Sequence, residues 1–435
     1  MLSISAVQRL TKSGRRFPVQ SSCPIISASD RNTVTNMRVA RPTLLALLFL
    51  CSTAARSATT ADSPHSAILP LSIIDNRPFV GVTVDAKGPF QFILDTGSSS
   101  STVSAALAES LKLSAVNTGT GTGAGEHALS FPVVHLDDLS VGPFSIGALD
   151  APAMDTNALS QALGFQHFEG VLGVEIFQQH VLTLDAARQQ LVIENEAQFK
   201  PPADAIKVPF SLDENQMPLV EATVAGTTGL FQIDTGDRFS LTLFNAFWQA
   251  HALNEKMGHT VEAMTGYGGG GPIRGLVGRP TAFSIGGLAL PAPVTRLSLQ
   301  KSGAFTQTDR AGNIGMGVLK RFRVSFDYGR HVMWLSKGPE FAASDRYDRS
   351  GMWLGLSAKD GLQVLDVVAD SPASAAGVRS GDLIERVGPL KADASTLSKI
   401  RAMLQAPNVP SVAVVYRHAD AVTETHVALT DLISP

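Results

Sequence analysis

The chain has 435 residues, of which 44% are hydrophobic and 17% are charged, and its formal net charge is −3. This is a globular composition, and the length is sufficient for two or three domains with hydrophobic cores. Acidic and basic residues are interspersed, without the basic stripe that marks a nucleic-acid-binding surface. We therefore expect no nucleic-acid partner.

Residues 1–58 are predicted to be an N-terminal extension and a signal peptide. Arg38 and Arg41 precede the apolar run 44–51, and small residues follow it. A secretory signal has three parts: a basic start, a short apolar stretch and a cleavage region of small residues. The run is shorter than the roughly 20 residues that span a bilayer. We expect a periplasmic or secreted protein with no stable membrane span after cleavage, or a membrane-tethered one if the signal stays. Met37 is an alternative start of the protein, because a complete signal follows it.

Cysteine and histidine usage argues against cofactor chemistry. The two cysteines, Cys23 and Cys51, both lie in the removable N-terminal segment. Cleavage would leave no thiol for a disulfide, a nucleophile or a metal site. The histidines show no metal-ligand spacing such as His-Glu-x-x-His. We expect neither a metal nor another cofactor.

The most informative feature of the chain is an internal duplication. Three landmarks recur in the same order: an aspartate after an apolar strand, a glycine motif, and the aspartate of a closing hairpin. The spacing between copies is 139 residues for the first landmark (95 to 234) and 142 for the other two (170 to 312 and 185 to 327). Nearly constant spacings indicate a duplicated unit of about 140 residues.

The first landmark carries the chemistry. Asp95 and Asp234 each end an apolar strand and begin an Asp-Thr-Gly turn, in which glycine permits backbone angles that a side chain resists. Duplication would set the two aspartates face to face. Two carboxylates so close cannot both ionise, so they share one proton. The ionised member activates a water, and the protonated member donates to a peptide carbonyl. Both aspartates are predicted to be catalytic.

These motifs resemble the aspartic protease clan, in the form built from two retropepsin-like lobes in one chain. The resemblance implies an all-β-dominated fold of two β-barrel lobes in tandem, at residues 65–200 and 201–341. It implies peptide-bond hydrolysis, with Thr96 and Thr235 hydrogen-bonded across the lobe interface. The supporting residues of the two active-site loops would be Thr96, Gly97, Ser98, Thr235, Gly236 and Asp237.

By the same resemblance, two glycine-rich hairpins at 118–125 and 265–271 would be flaps that close over a peptide or protein substrate and exclude water. The candidate flap residues are Gly121, Gly123, Tyr267 and Gly269.

Two positions depart from the family pattern. The second Asp-Thr-Gly is followed by Asp237 instead of a small residue, and an extra carboxylate raises the pKa values of the pair unless Arg238 neutralises it. Asn313 replaces an apolar residue in the second glycine motif. The alternative is therefore a catalytically weak or inactive aspartic-protease scaffold that acts as a peptide-binding module.

Residues 349–432 resemble a PDZ domain, an α+β unit. The elements 371–373, 376–378 and 381–384 occur in the order and spacing of bacterial examples. The resemblance implies a groove helix at 394–404 and a strand that takes a C-terminal peptide ligand by edge pairing. Leu354, Gly355 and Leu356 would supply that strand, although ordinary core packing is an equal reading. The unit would recruit substrate or regulate access.

Overall fold

The structure is a computed structural model that describes residues 65–165 and 168–434. Of the described residues, 47% lie in strands and 13% in helices, which confirms the prediction of a β-dominated fold. The predicted signal peptide lies outside the described residues. Within the described ranges, no helix is long and apolar enough to cross a membrane.

Residues 65–200, the first repeat, contain short helices that connect strands. Its strands are β1 (Ser66–Pro70), β2 (Ser72–Ile74), β3 (Arg77–Val84), β4 (Lys87–Leu94), β5 (Thr102–Ser104), β6 (Ala115–Gly121), β7 (Leu129–Val141), β8 (Phe144–Met154), β9 (Gly170–Leu172), β10 (Val181–Asp185) and β11 (Gln190–Glu194). Its helices are α1 (Ala105–Leu111), α2 (Asn157–Leu163) and α3 (Val174–Gln179).

The main sheet of the first repeat closes on itself. Its order is β2-β3-β4-β9-β5-β8-β7-β6, and β7 also pairs with β3. Val80, Val82 and Val84 alternate along β3 and are all buried, as the two-residue period of a strand requires. The closed sheet therefore encloses an apolar interior. Strand β4 belongs to this sheet, and Asp95 follows directly after its last residue.

Residues 201–341, the second repeat, follow the same order. The strands are β12 (Ile206–Pro209), β13 (Ser211–Leu212), β14 (Pro218–Val224), β15 (Thr227–Asp234), β16 (Leu241–Leu243), β17 (Val261–Gly268), β18 (Gly271–Gly278), β19 (Phe283–Ile285), β20 (Leu288–Leu290), β21 (Thr295–Ser298), β22 (Gly312–Gly315), β23 (Phe322–Asp327) and β24 (Val332–Lys337). The helices are α4 (Asn245–Ala250) and α5 (Met316–Leu319), with 3-10 turns at Leu253–Lys256 and Ala304–Thr306. The parallel pair β15–β22 repeats the parallel pair β4–β9.

A third sheet joins the two repeats, in the order β1-β11-β10-β23-β24-β12. At its centre β10 and β23 pair antiparallel, and the hydroxyls of Thr183 and Ser325 lie 2.7 Å apart. These strands hold equivalent positions in the duplicated sequence, and antiparallel pairing of equivalent strands is what a local two-fold axis produces. The two Asp-Thr-Gly loops are thereby turned toward each other.

The C-terminal unit has its own sheet and its own apolar core. Its elements are β25 (Met352–Leu356), β26 (Leu362–Val367), α6 (Pro372–Ala375), β27 (Leu383–Val387), β28 (Leu390–Lys391), α7 (Leu397–Leu404), β29 (Ser411–His418) and β30 (Ala421–Ala428). Strand β25 lies at one edge of the sheet order β25-β26-β27-β29-β30.

The end of helix α2 lies against β25 and α7. The indole of Trp353 donates to the carbonyl oxygen of Ala162 at 3.2 Å, and Arg401 donates to that of Leu163 at 2.9 Å. Carbonyl groups at a helix end lack partners within the helix, so these donors satisfy them. Arg401 also donates to Leu354 at 2.8 Å. Peptide binding by Leu354, Gly355 and Leu356 stays a prediction, and this contact occupies part of the same surface.

Asp75 joins all three parts of the chain. Its carboxylate accepts from Arg77 at 2.7 Å, from Arg238 at 2.7 and 2.9 Å, and from Arg401 at 3.2 Å. Burial alone would raise the pKa of Asp75, but the three guanidinium groups lower it to about 2. This ionised junction ties the first repeat to the second active-site loop and to the C-terminal unit.

Candidate active site

The two Asp-Thr-Gly loops interlock through their threonines. The Thr96 hydroxyl donates to the carbonyl oxygen of Ile233 at 2.7 Å and accepts from the Thr235 amide at 3.1 Å. The Thr235 hydroxyl does the reverse, donating to Leu94 at 2.6 Å and accepting from the Thr96 amide at 3.0 Å. Four buried hydrogen bonds therefore fix the height and orientation of the two loops relative to each other.

Removing one threonine hydroxyl is expected to loosen this interlock. Thr96→Val keeps the shape but leaves the Ile233 carbonyl and the Thr235 amide without their side-chain partner. Each buried unsatisfied group costs about 1–3 kcal/mol, so we expect the free energy of unfolding to fall by about 2 kcal/mol or more. Urea denaturation measures the change, and Thr96→Ser, which keeps the hydroxyl, is the control. Equal destabilisation by Val and Ser would contradict the role of the hydroxyl.

The carboxyl groups of Asp95 and Asp234 face each other across the interface. The charge of Asp95 acts on Asp234, and the two residues are only 1% and 0% exposed. Each also lies against the glycine of the opposite loop: a Cβ on Gly97 would lie 2.6 Å from Cγ of Asp234, and one on Gly236 would lie 2.2 Å from Oδ2 of Asp95. Only glycine permits this approach, so both loops need it at this position.

Backbone amides hold each carboxylate in its own loop. Gly97 donates to Oδ1 of Asp95 at 2.8 Å, and Asp237 donates to Oδ1 of Asp234 at 2.9 Å. Burial raises the pKa of Asp95 to about 6. Burial, and then the charges of Asp95 and Asp237, raise the pKa of Asp234 well above its ordinary value. The pair therefore retains a shared proton at a pH where exposed carboxyls have lost theirs.

The partner of the extra carboxylate differs from the sequence expectation. Arg238, which was expected to neutralise Asp237, instead pairs with Asp75. The guanidinium of Arg296 lies 3.0 Å from Oδ2 of Asp237, and both side chains are 2% exposed. Arg238 is the next residue along the loop, and its side chain leaves on the far side, whereas Arg296 approaches from β21, the strand beside β16. Asp237 is thus compensated, but by a different cation.

Further contacts complete the surroundings of Asp237. Its carboxylate accepts from the Thr242 hydroxyl at 2.8 Å and from the Phe239 amide at 3.0 Å. Arg296 also lies over the rings of Phe239 and Phe305, each with a centroid 4.7 Å away. Burial lowers the pKa of Arg296, and the charge of Asp237 opposes that change. The ion pair is therefore enclosed by hydrogen bonds and aromatic faces.

Asn313 touches the carboxyl pair directly. Its side-chain amide donates to Oδ2 of Asp234 at 2.7 Å, from β22, which runs parallel to β15. In the first repeat, Ser98 follows the glycine, and its hydroxyl donates to the Ser100 carbonyl at 2.8 Å. The second loop thus carries a side-chain donor on its aspartate that comes from the neighbouring strand.

The two glycine-rich hairpins meet above the loops. Gly125 donates to the Gly269 carbonyl at 2.8 Å, and His127 donates to the Gly270 carbonyl at 3.0 Å. A Cβ on Gly123 would lie 2.2 Å from the oxygen of Gly269, so the tips touch through bare backbone. Of the other two flap candidates, Gly121 ends β6 and Tyr267 lies in β17. The two hairpins are therefore in contact with each other at their tips.

The tip of the first hairpin, the loop between β6 and β7, is inserted into the second repeat. Ala124 is fully buried in a cluster with Phe244, Ile273 and Phe305. The Ala304 amide donates to Gly123 at 2.9 Å. The tip of the first hairpin is therefore held against the second repeat by apolar packing and by a backbone hydrogen bond.

The second hairpin, β17–β18, is tied to the C-terminal unit. Asp366 of β26 accepts from the Met264 amide at 2.6 Å and from Arg274 at 3.0 Å. Asp366→Ala is expected to speed amide hydrogen exchange in β17 and β18 by about tenfold, since hydrogen bonds to charged groups contribute about 1.5–3 kcal/mol. Mass-spectrometric exchange measures it, with the exposed Asp360→Ala as control. Unchanged exchange would show that Asp366 does not restrain the hairpin.

A cavity of about 410 Å³ lies on the other side of the second loop. Its lining includes Arg238, Phe239 and Thr265 from the second repeat and Trp353 and Asp366 from the C-terminal unit. Neither aspartate of the pair lines it. It is a gap between the C-terminal unit and the second repeat and is distinct from the space between the loops.

Comparison with known protein families gives one match, which covers the first Asp-Thr-Gly loop. Residues 80–176 match the family model described as aspartyl protease. The matched stretch contains Asp95 and the glycine motif of the first repeat, and it supports an aspartyl protease family for this chain. No curated protein sequence matches the chain. The match does not extend to the second repeat or to the C-terminal unit.

Sequence reasoning missed two residues that shape the site. Arg77 is 1% exposed and donates to the carbonyl of Gly236 at 3.0 Å, which supports the second loop from below. Arg296 compensates Asp237. For Arg77 the available signal was an arginine at the start of the apolar strand Arg77–Val84, because a buried arginine needs an acid or a carbonyl as partner. Arg296 lies in the mixed strand Thr295–Ser298 and carried no such signal.

Proposed function

We propose that this protein is an aspartic-type endopeptidase that hydrolyses peptide bonds with a water held between Asp95 and Asp234. One observation carries the proposal: the two buried carboxyl groups face each other, each against the glycine of the opposite loop. An ionised carboxylate beside a protonated carboxyl is the arrangement that can activate water and protonate a carbonyl oxygen in one step. A family match of the protease kind agrees with it.

The roles of the two aspartates follow from their surroundings. Asp95, whose pKa burial raises to about 6, would ionise first and act as the base. Asp234, whose pKa lies higher, would keep the proton and donate it to the carbonyl oxygen. As the C–N bond breaks, Asp95 would give the proton it took from water to the leaving amine, and a hydroxyl of the tetrahedral intermediate would return a proton to Asp234. Cleavage is therefore expected to rise with pH through about 6, as the base forms.

The closed hairpins support a peptide substrate. Two glycine-containing tips that part would admit an extended chain and then exclude water around it. Because the carboxyl pair lies at a junction between two long sheets, a substrate would cross the molecule between the repeats. We propose denatured or extended segments of proteins as the substrate class.

Cleavage of denatured casein by the full-length protein tests the function. The reaction would be followed between pH 4 and pH 8, with and without a metal chelator. Peptide products that form equally with the chelator support the proposal. Absence of cleavage across the whole range would contradict it, and retained peptide binding in that case would favour the second candidate, a peptide-binding scaffold without turnover.

The wider organisation is also a proposal. The antiparallel pairing of β10 with β23 supports two lobes that arose by duplication, and the resemblance in residues 349–432 supports a PDZ domain with a C-terminal peptide ligand. The basic and apolar pattern of residues 38–58 supports export to the periplasm or outside the cell. Fractionation followed by N-terminal sequencing of the isolated protein tests the last point, because a cleaved signal gives a new N-terminus after residue 50.

A further inference from the structure

Asn313 contacts the carboxyl pair from the side of the second repeat. Its Nδ2 lies 2.7 Å from Oδ2 of Asp234, and the residue is 1% exposed. The other side-chain atom, Oδ1 of Asn313, has no hydrogen-bond partner within the described part of the chain. The amide therefore makes one hydrogen bond from its side chain, and it makes that bond to Asp234 in a dry environment where such a bond is strong.

The position equivalent to Asn313 in the first repeat holds no such donor. Val171 lies opposite Ile93, two residues before Asp95, and Asn313 lies opposite Gln232, two residues before Asp234. The two positions are therefore equivalent, and the valine side chain cannot donate. At this position the two repeats have equivalent strand pairing and differ in the side chain, which is valine in the first and asparagine in the second.

Other charged groups also act on Asp234. Asp95 faces it across the interface, and Asp237 follows it in the same loop. Arg296 stands behind Asp237 as its ion-pair partner. At the positions equivalent to Asp237 and Asn313, the first repeat has Ser98 and Val171. The amide opposes what the extra acid does, since a donor favours the charged form and a nearby negative charge disfavours it.

We propose that Asn313 is a positioning residue that fixes one oxygen of Asp234 and stabilises its ionised form, so that Asp234 can release its proton to the substrate despite Asp237. This inference rests on the proposed peptidase function. Asn313 does not contact the reacting bond in this proposal and acts through Asp234. Its effect should therefore show in how the pair ionises.

The test replaces Asn313 with the residue that the first repeat has in its place. Asn313→Val removes the donor, and Asn313→Thr keeps the same shape with a hydroxyl. For each full-length variant, kcat and KM for peptide cleavage would be measured from pH 4 to pH 9. The ionisation of the pair would be followed separately by 13C NMR of the aspartate carboxyl carbons, which needs no turnover. Urea midpoints would show that the variants fold.

The expected result is a shift of the upper, basic limb of the pH profile. In Asn313→Val we expect that limb and the upper aspartate titration to rise by about one pH unit, the size expected for a lost hydrogen bond to a charged group. The Thr variant should shift less. An upper titration that does not move in Asn313→Val would overturn the inference. If the unmodified protein cleaves nothing, the proposed function fails, while the NMR titration still decides the role of Asn313.

Discussion

Asp95→Asn is expected to lower kcat/KM for peptide cleavage by about a thousandfold, and Asp234→Asn by a similar factor. An amide cannot take a proton from water or give one to a carbonyl oxygen, and positioned acid–base groups each contribute roughly 10²–10⁴-fold. Both changes are nearly isosteric, so the interlock of Thr96 with Thr235 should survive. Casein cleavage and the cleavage of a fluorogenic peptide measure the loss.

A matched control uses Asp137, whose side chain is 89% exposed. Asp137→Asn changes the net charge by the same amount and should leave cleavage unchanged. If all of the variants and the unmodified protein cleave equally, Asp95 and Asp234 are not the residues that carry out cleavage.

Stability gives a second measure of Asp95→Asn that is independent of turnover. The pKa of Asp95 is raised to about 6 from its ordinary value of 3.8, so the folded protein binds this proton more tightly than the unfolded chain does. Its contribution is fully present below about pH 4 and is lost as the pH rises through about 6. Asp95→Asn should flatten the fall in urea midpoint over that window.

The second large effect is expected at Arg296. Arg296→Met leaves the Asp237 carboxylate buried with only the Thr242 hydroxyl and the Phe239 amide as partners. Removal of one member of a buried ion pair costs about 3–5 kcal/mol, because the other charge stays uncompensated. We expect a loss of this size in the free energy of unfolding, measured by urea denaturation. We also expect weaker cleavage, since the free charge of Asp237 disfavours ionisation of the catalytic pair.

A double variant separates charge from packing. Asp237→Ser gives the second loop the residue that the first loop has as Ser98, so Asp237→Ser with Arg296→Met removes both charges together. This double variant should recover more than half of the stability lost in the single Arg296→Met variant. Arg386→Met is the control, because its ion pair with Glu424 is exposed and should contribute about 0–1 kcal/mol. A double variant as unstable as Arg296→Met would indicate that packing of the guanidinium dominates.

The parts of this fold that could be predicted are those encoded locally. An apolar strand that runs into Asp-Thr-Gly at residue 95, and again at residue 234, encodes a buried strand with a tight turn at its end. The glycine-rich hairpins could be predicted for the same reason, because the glycines at 121 and 123 indicate a chain turn at their own position in the sequence. Duplication then supplied the relation between the two loops.

The parts that could not be predicted depend on contacts distant in sequence. Arg238 is adjacent to Asp237 and looked like its counterion, but Arg296, 59 residues away, reaches the carboxylate across a neighbouring strand. In the sequence, Asn313 was seen only as a polar residue in an apolar pattern. Its hydrogen bond to Asp234 depends on the pairing of β22 with β15, which the local sequence does not give. Asp345 accepts hydrogen bonds from Arg321, Ser240 and the Val294 amide, and the nearest of these in sequence, Arg321, is 24 residues away.

The seating of helix α2 on the C-terminal unit has a consequence for ligands. Trp353 and Arg401 donate to the carbonyls of Ala162 and Leu163, so α2 would compete, at a high effective concentration, with any peptide that residues 354–356 take as predicted. A free peptide would meet this surface only in the fraction of molecules in which α2 has lifted away. If that fraction were about one in a hundred, the apparent affinity would be about a hundredfold weaker than the intrinsic one.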